Sequence, residues 1–346
     1  MTGLVKPTVA GRIIMTLVAA VVGSAGLAAG NKRPILIAHR GASAYAPEHT
    51  LSSYRLAIEQ GADFVEQDLQ VTKDGVLICL HDPELSRTTN VAEVYPARAA
   101  TREVEGAGNP RRGWYAVDFT LEEIKRLDAG SWFNRANPFA ARETYVGERI
   151  PTLEEVISAV GNRAGLYIEM KESGFYKSAG IDVAAKLAAV LDGRGFKKPA
   201  AGNRIFVQSF SKENLLRLKQ IAPHYRRIQL LPMEDAGRRV DSRKVTPELA
   251  GEIAEYAQGV GPAKEMLASA ADVETFHRAG LLIHPYTFRG PTTAVVRQPL
   301  DKTGENGAKL RDRIVSEIRR FAAYGIDGGF TDYPDLWREA VSPPRR

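Results

Sequence analysis

Short apolar runs rich in β-branched residues alternate with helical patterns along most of this chain, and that rhythm admits few architectures. The runs lie at 35–38, 64–69, 76–80, 166–170, 205–208, 228–231, 281–284 and 329–331, with a weaker one at 258–261. They are apolar on both faces, as buried parallel strands are. Between them, helical patterns occupy 51–60, 121–128, 153–160, 181–192, 212–221, 247–256, 270–279 and 310–324. Thr120 and Thr152 are each followed by Leu-Glu-Glu, the signature of a capped helix start. Alternation of this kind predicts right-handed βα units. About eight such units predict an α/β fold of the TIM (β/α)8 barrel type rather than an open sheet.

Two segments break the rhythm. Residues 83–150 carry little strand signal and read as an insertion folded over the barrel mouth, since long excursions in compact domains are usually functional. Residues 1–30 place Lys6 and Arg12 before an apolar run, 13–22, that gives way to small residues ending in Ala28-Ala29-Gly30. That is the layout of a secretory signal peptide, and the run is short for a spanning helix. The domain proper is then expected over 31–340, with a tail at 341–346. The 346-residue chain carries a net charge of +6, and loss of Lys6 and Arg12 would leave about +4. So mild a charge, without a basic stripe interleaved with aromatics, suits a small anionic substrate and argues against nucleic acid. Cys79 is the only cysteine, so no intrachain disulfide forms, and its apolar run marks it as a small buried hydrophobe.

The residues that carry chemistry close the strand runs. Glu66 and Asp68 are two apart in a strand and so share a face. At a strand end they aim two carboxylates into one cavity, a costly arrangement that a divalent cation relieves. Glu169 ends a later strand and supplies a third oxygen ligand, and Lys171 projects to the same side. Arg40 follows the first strand with the planar fork that suits a phosphate, and Gly41 lets the backbone turn. His39 and His81, on two strand ends, are placed to act as base and acid about a phosphorus centre. Glu48 and His49 are expected to orient neighbours of His39. Gln208 and His284 end later strands and are expected to face the mouth. Tyr286 and Phe330 are candidate walls of a substrate pocket, and Trp114, Trp132 and Phe133 are candidates for a lid or for the insertion's own core. No His-x-His pair occurs, which argues against an amidohydrolase-type metal barrel.

These residues sit in strings that closely resemble one family. His39-Arg40-Gly41-Ala42-Ser43, Pro47-Glu48-His49-Thr50-Leu51, the stretch from Gly61 to Leu69, and Leu80-His81-Asp82 are similar to the glycerophosphodiester phosphodiesterases, nearest to their exported, periplasmic bacterial members. The likeness continues through 87–93, 115–121, 284–287 and 329–334. It implies a TIM barrel with a small insertion after the second strand. It also implies metal-dependent hydrolysis of glycerophosphodiesters, such as glycerophosphocholine or glycerophosphoethanolamine, to sn-glycerol 3-phosphate and an alcohol. It assigns acid and base to His39 and His81, metal binding to Glu66, Asp68 and Glu169, and the phosphate to Arg40 and Lys171. The implied ion is Ca²⁺ in preference to Mg²⁺. The implied partner is a small soluble substrate, with no stable membrane insertion after cleavage, in the periplasm or outside the cell. Two other readings remain open on sequence alone: a barrel of the spider-venom sphingomyelinase type acting on lipid head groups, and an inactive binding protein.

Overall fold

The structure, a computed structural model, describes residues 1–3, 33–103, 109–171, 173–232, 244–290 and 305–342. Of the proposed leader at 1–30 only residues 1–3 are described, and of the tail at 341–346 only 341 and 342. The chain divides after Lys32 into two units, and the second, Arg33–Arg346, carries every element described below.

In chain order the strands are β1 (Ile35–Ala38), β2 (Phe64–Val71), β3 (Leu77–Cys79), β4 (Ala100–Arg102), β5 (Arg111–Gly113), β6 (Gly165–Met170), β7 (Ile205–Ser209), β8 (Arg226–Leu231), β9 (Gly259–Pro262), β10 (Leu282–Ile283) and β11 (Gly328–Thr331). Eight of them run parallel, side by side in the order β10-β9-β8-β7-β6-β2-β1-β11. The outermost two meet through Asp327 N–H on the Ile283 carbonyl (3.0 Å) and Phe330 N–H on the Pro285 carbonyl (3.1 Å). The result is a nearly closed parallel barrel. Helices such as Leu51–Glu59, Leu153–Val160, Val183–Gly193 and Lys212–Ile221 follow the strands. Both sequence-expected helix starts carry the full capping box, Thr120 with Glu123 and Thr152 with Glu155.

One expected barrel strand is not one. The run at 76–80 forms β3, which lies antiparallel on β2, with Leu69 opposite Cys79 and Val71 opposite Leu77. Only a few residues separate the two, and a parallel crossover needs a dozen or more. Gly75, at φ +83°, makes the tight turn instead. The missing barrel place is taken by the weaker run, as β9. Its signal is faint because Gly259 and Gly261 contribute no side chain. A Cβ at Gly259 would come within 2.8 Å of the Leu282 carbonyl, so the close approach of β10 demands glycine.

The barrel interior is layered. Ile37, Tyr167, Phe206, Ile228 and Phe330 form a buried apolar floor, with Tyr167 stacked on Phe206 at 5.0 Å and edge-on to Phe330 at 4.9 Å. One step further along each strand, side chains of the same face rise above that floor. In the register of the sheet Asp68 stands beside Glu169, and Glu169 beside Gln208. The strand period thus sets a polar layer on an apolar base.

The segment 83–150 builds a small core of its own. Leu85, Val91, Ala116, Phe119, Ile124, Leu127, Ala129 and Ile150 pack with Ile78 and Leu80 of the β3 region. Trp114 packs against that cluster, and Trp132 packs with Phe133 and Tyr145 in a second one. None of the described residues of 83–150 lines the cavity at the barrel mouth, so the lid expectation gives way to a flanking subdomain.

Candidate active site

A cavity of about 340 Å³ opens at the C-terminal ends of the strands. Its wall includes His39, Arg40, Glu66, Asp68, His81, Glu169 and Lys171, with Gln208, Tyr286 and Phe330 further round. Residues more than a hundred positions apart are thereby brought to one place.

The turn after β1 is tightly built. Arg40 and His49 both adopt positive φ, 57° and 60°. Non-glycine residues enter that region at a cost of about 1–2 kcal/mol each, which surrounding bonds must offset. Here the Arg40 N–H donates to Glu66 Oε2 at 2.7 Å, and the His49 N–H donates to the Arg40 carbonyl at 3.1 Å. Gly41, at φ +85°, has no room for a side chain, since a Cβ would lie 2.4 Å from Ser53 Oγ.

His39 donates from Nδ1 to Asp332 Oδ1 at 2.7 Å, and Ser43 Oγ donates to the same oxygen at 3.1 Å. Asp332 is fully buried just beyond β11. A carboxylate on Nδ1 fixes the ring and leaves Nε2 as the basic atom, the arrangement of a general base. His81 donates from Nδ1 to Asp82 Oδ1 at 2.6 Å. Burial and the cations Arg40 and Lys171 push the His81 imidazolium down to about 3, against the opposing pull of Asp68 and Asp82.

Two basic residues tie the loops together. Arg40 reaches Glu48 Oε1 at 3.0 Å and Asp68 Oδ2 at 3.3 Å. Arg87 clamps Glu48 at 2.7 Å and also binds Asp82. Sequence reasoning misses both Arg87 and Asp332. Arg87 sits in a string that carries the family resemblance but closes no strand run. Asp332 has a readable signal, an acid directly after the last barrel strand. We expect Arg87→Gln to lower kcat/KM about 10–100-fold, the usual cost of losing a residue that orients ligating or catalytic groups. Steady-state kinetics beside an unchanged circular dichroism spectrum checks this.

The acids form a buried cluster. Ligand atoms of His49, Glu66 and Asp68 all lie within 4.8 Å of one another. His49 donates from Nε2 to Asp68 Oδ2 at 2.9 Å and pairs through Nδ1 with the Tyr54 hydroxyl at 2.8 Å. His49 therefore orients Asp68, whereas Glu48 takes Arg40. Lys171, expected beside a phosphate, lies 3.3 Å from Glu169 and 3.7 Å from Asp68 while still lining the cavity. Burial, then Asp68 and Glu169, hold the Glu66 carboxyl well above its usual range. Burial also lifts Glu169, to about 8. Burial opposes ionisation of Asp68 too, but Lys171, the hydrogen bond from His49 and Arg40 outweigh it and keep that carboxylate charged. Three buried carboxylates drawn together, two of them biased toward protonation in the free protein, are a fitting donor set for a hard divalent cation.

His284 is not at the mouth. It is buried beside the floor, hydrogen-bonded through Nδ1 to the Tyr167 hydroxyl at 2.9 Å and packing edge-on to Tyr167 and Phe206. The strand period explains the difference: Tyr286, two residues on, is the member of that face that reaches the cavity.

The sequence matches the model of the Glycerophosphoryl diester phosphodiesterase family over residues 39–336. It is 36% identical over 308 residues to a glycerophosphodiester phosphodiesterase of Bacillus subtilis, covering 89% of this chain and 86% of that one. A second such enzyme, from Caldanaerobacter subterraneus, is 31% identical over 88% of this chain and 96% of its own length. The fold superposes on the crystal structure of a glycerophosphodiester phosphodiesterase from Agrobacterium tumefaciens with a TM-score of 0.61, at 27% identity over 88% of this chain and 99% of the other.

Proposed function

This chain belongs to the glycerophosphoryl diester phosphodiesterase family, and we propose that it uses His39 and His81 as a base and acid pair, with a bound divalent cation, to cleave small glycerophosphodiesters. The observation that carries the reading is the convergence of both histidines, both basic residues and three carboxylates on one cavity. Substrates such as glycerophosphocholine and glycerophosphoethanolamine would yield sn-glycerol 3-phosphate and the free alcohol.

Glu66, Asp68 and Glu169 would hold the ion, with His49 beside them. Oxygen-rich donors suit Ca²⁺, whose coordination is more flexible than that of Mg²⁺. When bound, the ion supplies electrophilic stabilisation of charge on the phosphoryl oxygens. Arg40, in the wall of the same cavity, would neutralise the phosphodiester's charge. His39, held by Asp332, takes the proton from the attacking oxygen, which is water or, in a two-step route, the substrate's own adjacent hydroxyl, whose attack forms a cyclic phosphate that water then opens. His81 gives a proton to the departing alkoxide. Its depressed basicity in the free protein comes from burial and from Arg40 and Lys171, and an anionic phosphodiester beside those cations restores it.

Export is part of the same proposal, resting on Lys6, Arg12 and the apolar run that follows them. No described helix is long and apolar enough to cross a membrane. The decisive experiment is a panel of glycerophosphodiesters assayed after chelation and after adding back Ca²⁺ or Mg²⁺. We expect activity to vanish with chelator and return with Ca²⁺. Full activity in stringently metal-free protein would overturn the cation assignment, and release of choline from lipid vesicles but not from glycerophosphocholine would favour a lipid-directed enzyme.

A further inference from the structure

The catalytic cavity does not end at its own wall. Tyr286, Thr287 and Arg289 also line a neighbouring concavity of about 840 Å³, bounded on its far side by the helix Glu305–Tyr324. Its charged members are Lys264, Glu265, Arg289, Arg313, Glu317 and Arg320. Their pairing is uneven. Lys264 is held by Glu317 at 2.7 Å and Glu265 at 3.0 Å, and Arg320 approaches Glu317 at 3.9 Å. Among the described residues neither Arg289 nor Arg313 forms an ion pair. Two guanidinium groups thus line one concavity with no carboxylate assigned to either, and one of them also lines the catalytic cavity. Like charges gathered in a recess favour an anion there, and the guanidinium fork matches a phosphate.

The opposite flank differs. A cavity of about 540 Å³ shares Glu169, Lys171 and Phe210 with the catalytic one. Its remaining lysines are already paired, Lys177 with Glu213 and Lys212 with Glu252. Among the described residues, only the Arg289 side of these two flanks offers uncommitted positive charge.

We propose that the concavity between Arg289 and Arg313 is a subsite for a second anionic group on the leaving alcohol, so that the protein selects glycerophosphodiesters whose alcohol itself carries a phosphate. This deepens the activity proposed above and rests on it. The alcohol leaves the phosphorus past Tyr286, and its distal phosphate reaches the arginines. The zwitterionic head groups of glycerophosphocholine and glycerophosphoethanolamine would then be turned over without using this part of the surface.

The test compares glycerophosphoglycerol with the same compound bearing a phosphate on the leaving glycerol, for the wild-type enzyme loaded with Ca²⁺ and for Arg313→Gln and Arg313→Lys. Arg313 is exposed and lies outside the catalytic cavity, so its replacement leaves the fold and the basal reaction intact. We expect the phosphorylated compound to have the lower KM by about tenfold, the worth of one good charged contact. Arg313→Gln should erase that advantage without changing KM or kcat for glycerophosphoglycerol, and Arg313→Lys should keep part of it. Equal KM values for the two compounds in the wild type, or an advantage that survives in Arg313→Gln, would overturn the subsite while leaving the activity standing. Turnover of neither compound would overturn the activity and the subsite together.

Discussion

His39→Ala is expected to lower kcat by about 10²–10⁴-fold, the range that a positioned acid or base contributes, while leaving the melting temperature near that of the wild type. His39 follows β1 and lines the open active-site cavity, so truncation enlarges a space that already faces solvent rather than emptying the core. Asp332→Asn is the sharper companion. Asp332 is fully buried and receives both the His39 Nδ1–H and the Ser43 hydroxyl. An amide there can present its NH₂ to Nδ1, which puts the imidazole proton on Nε2 and removes the base without removing the ring. We expect a loss in kcat approaching that of His39→Ala. The double variant should be little worse than either alone, because the two residues act as one unit. His81→Ala should cost a similar factor independently. Single-turnover kinetics beside thermal melts separates these effects from misfolding. A His39→Ala variant within tenfold of the wild-type rate would rule out His39 as the base.

How much of this arrangement can be read from the chain alone depends on the range of the interactions. Short-range rules carry far. The strand period puts Glu66 and Asp68 on one face, and the two threonine caps open helices where the local pattern says they should. Register across the sheet is not local. Only the pairing of β2 with β6 and β6 with β7 sets Asp68 beside Glu169 and Glu169 beside Gln208. Depth along a strand is equally hidden, because His284 and Tyr286 belong to the same face and only the height of the floor decides which reaches the cavity. The direction of 76–80 turns on the length of its connection rather than on its own apolar character. The Arg87 link to Glu48 spans 39 positions in sequence, and no periodicity encodes it.

The acid cluster makes the second large effect. Calcium at about a hundred times its dissociation constant should stabilise the wild-type protein by about 2.7 kcal/mol, if the ion binds only the folded state. Glu66→Gln should abolish turnover and that stabilisation, yet raise the melting temperature of the metal-free protein by about 2 °C. The reason lies in the environment of Glu66. It is buried, its described bond is to a single backbone N–H, and two other carboxylates face it. A neutral amide keeps the shape and removes the cost of holding that carboxyl protonated in the fold. The pH dependence has a definite sign. Glu169 stands at about 8 in the fold against an ordinary 4.5, so the folded protein holds a proton that the unfolded chain releases. The stability this contributes is complete below about 4.5 and is lost as pH rises toward about 8. Glu66 acts in the same direction. Below about 6.5 the buried His81 and His284, held neutral in the fold, oppose this trend, but above it they are neutral in both states, so metal-free protein should melt lower at about pH 8 than at about pH 6.5. Calcium should reduce or reverse that trend, since the ion takes the place of the protons. Scanning calorimetry across that range, with and without calcium, measures both effects. A Glu66→Gln protein that calcium still stabilises as it does the wild type would show that the ion is held elsewhere.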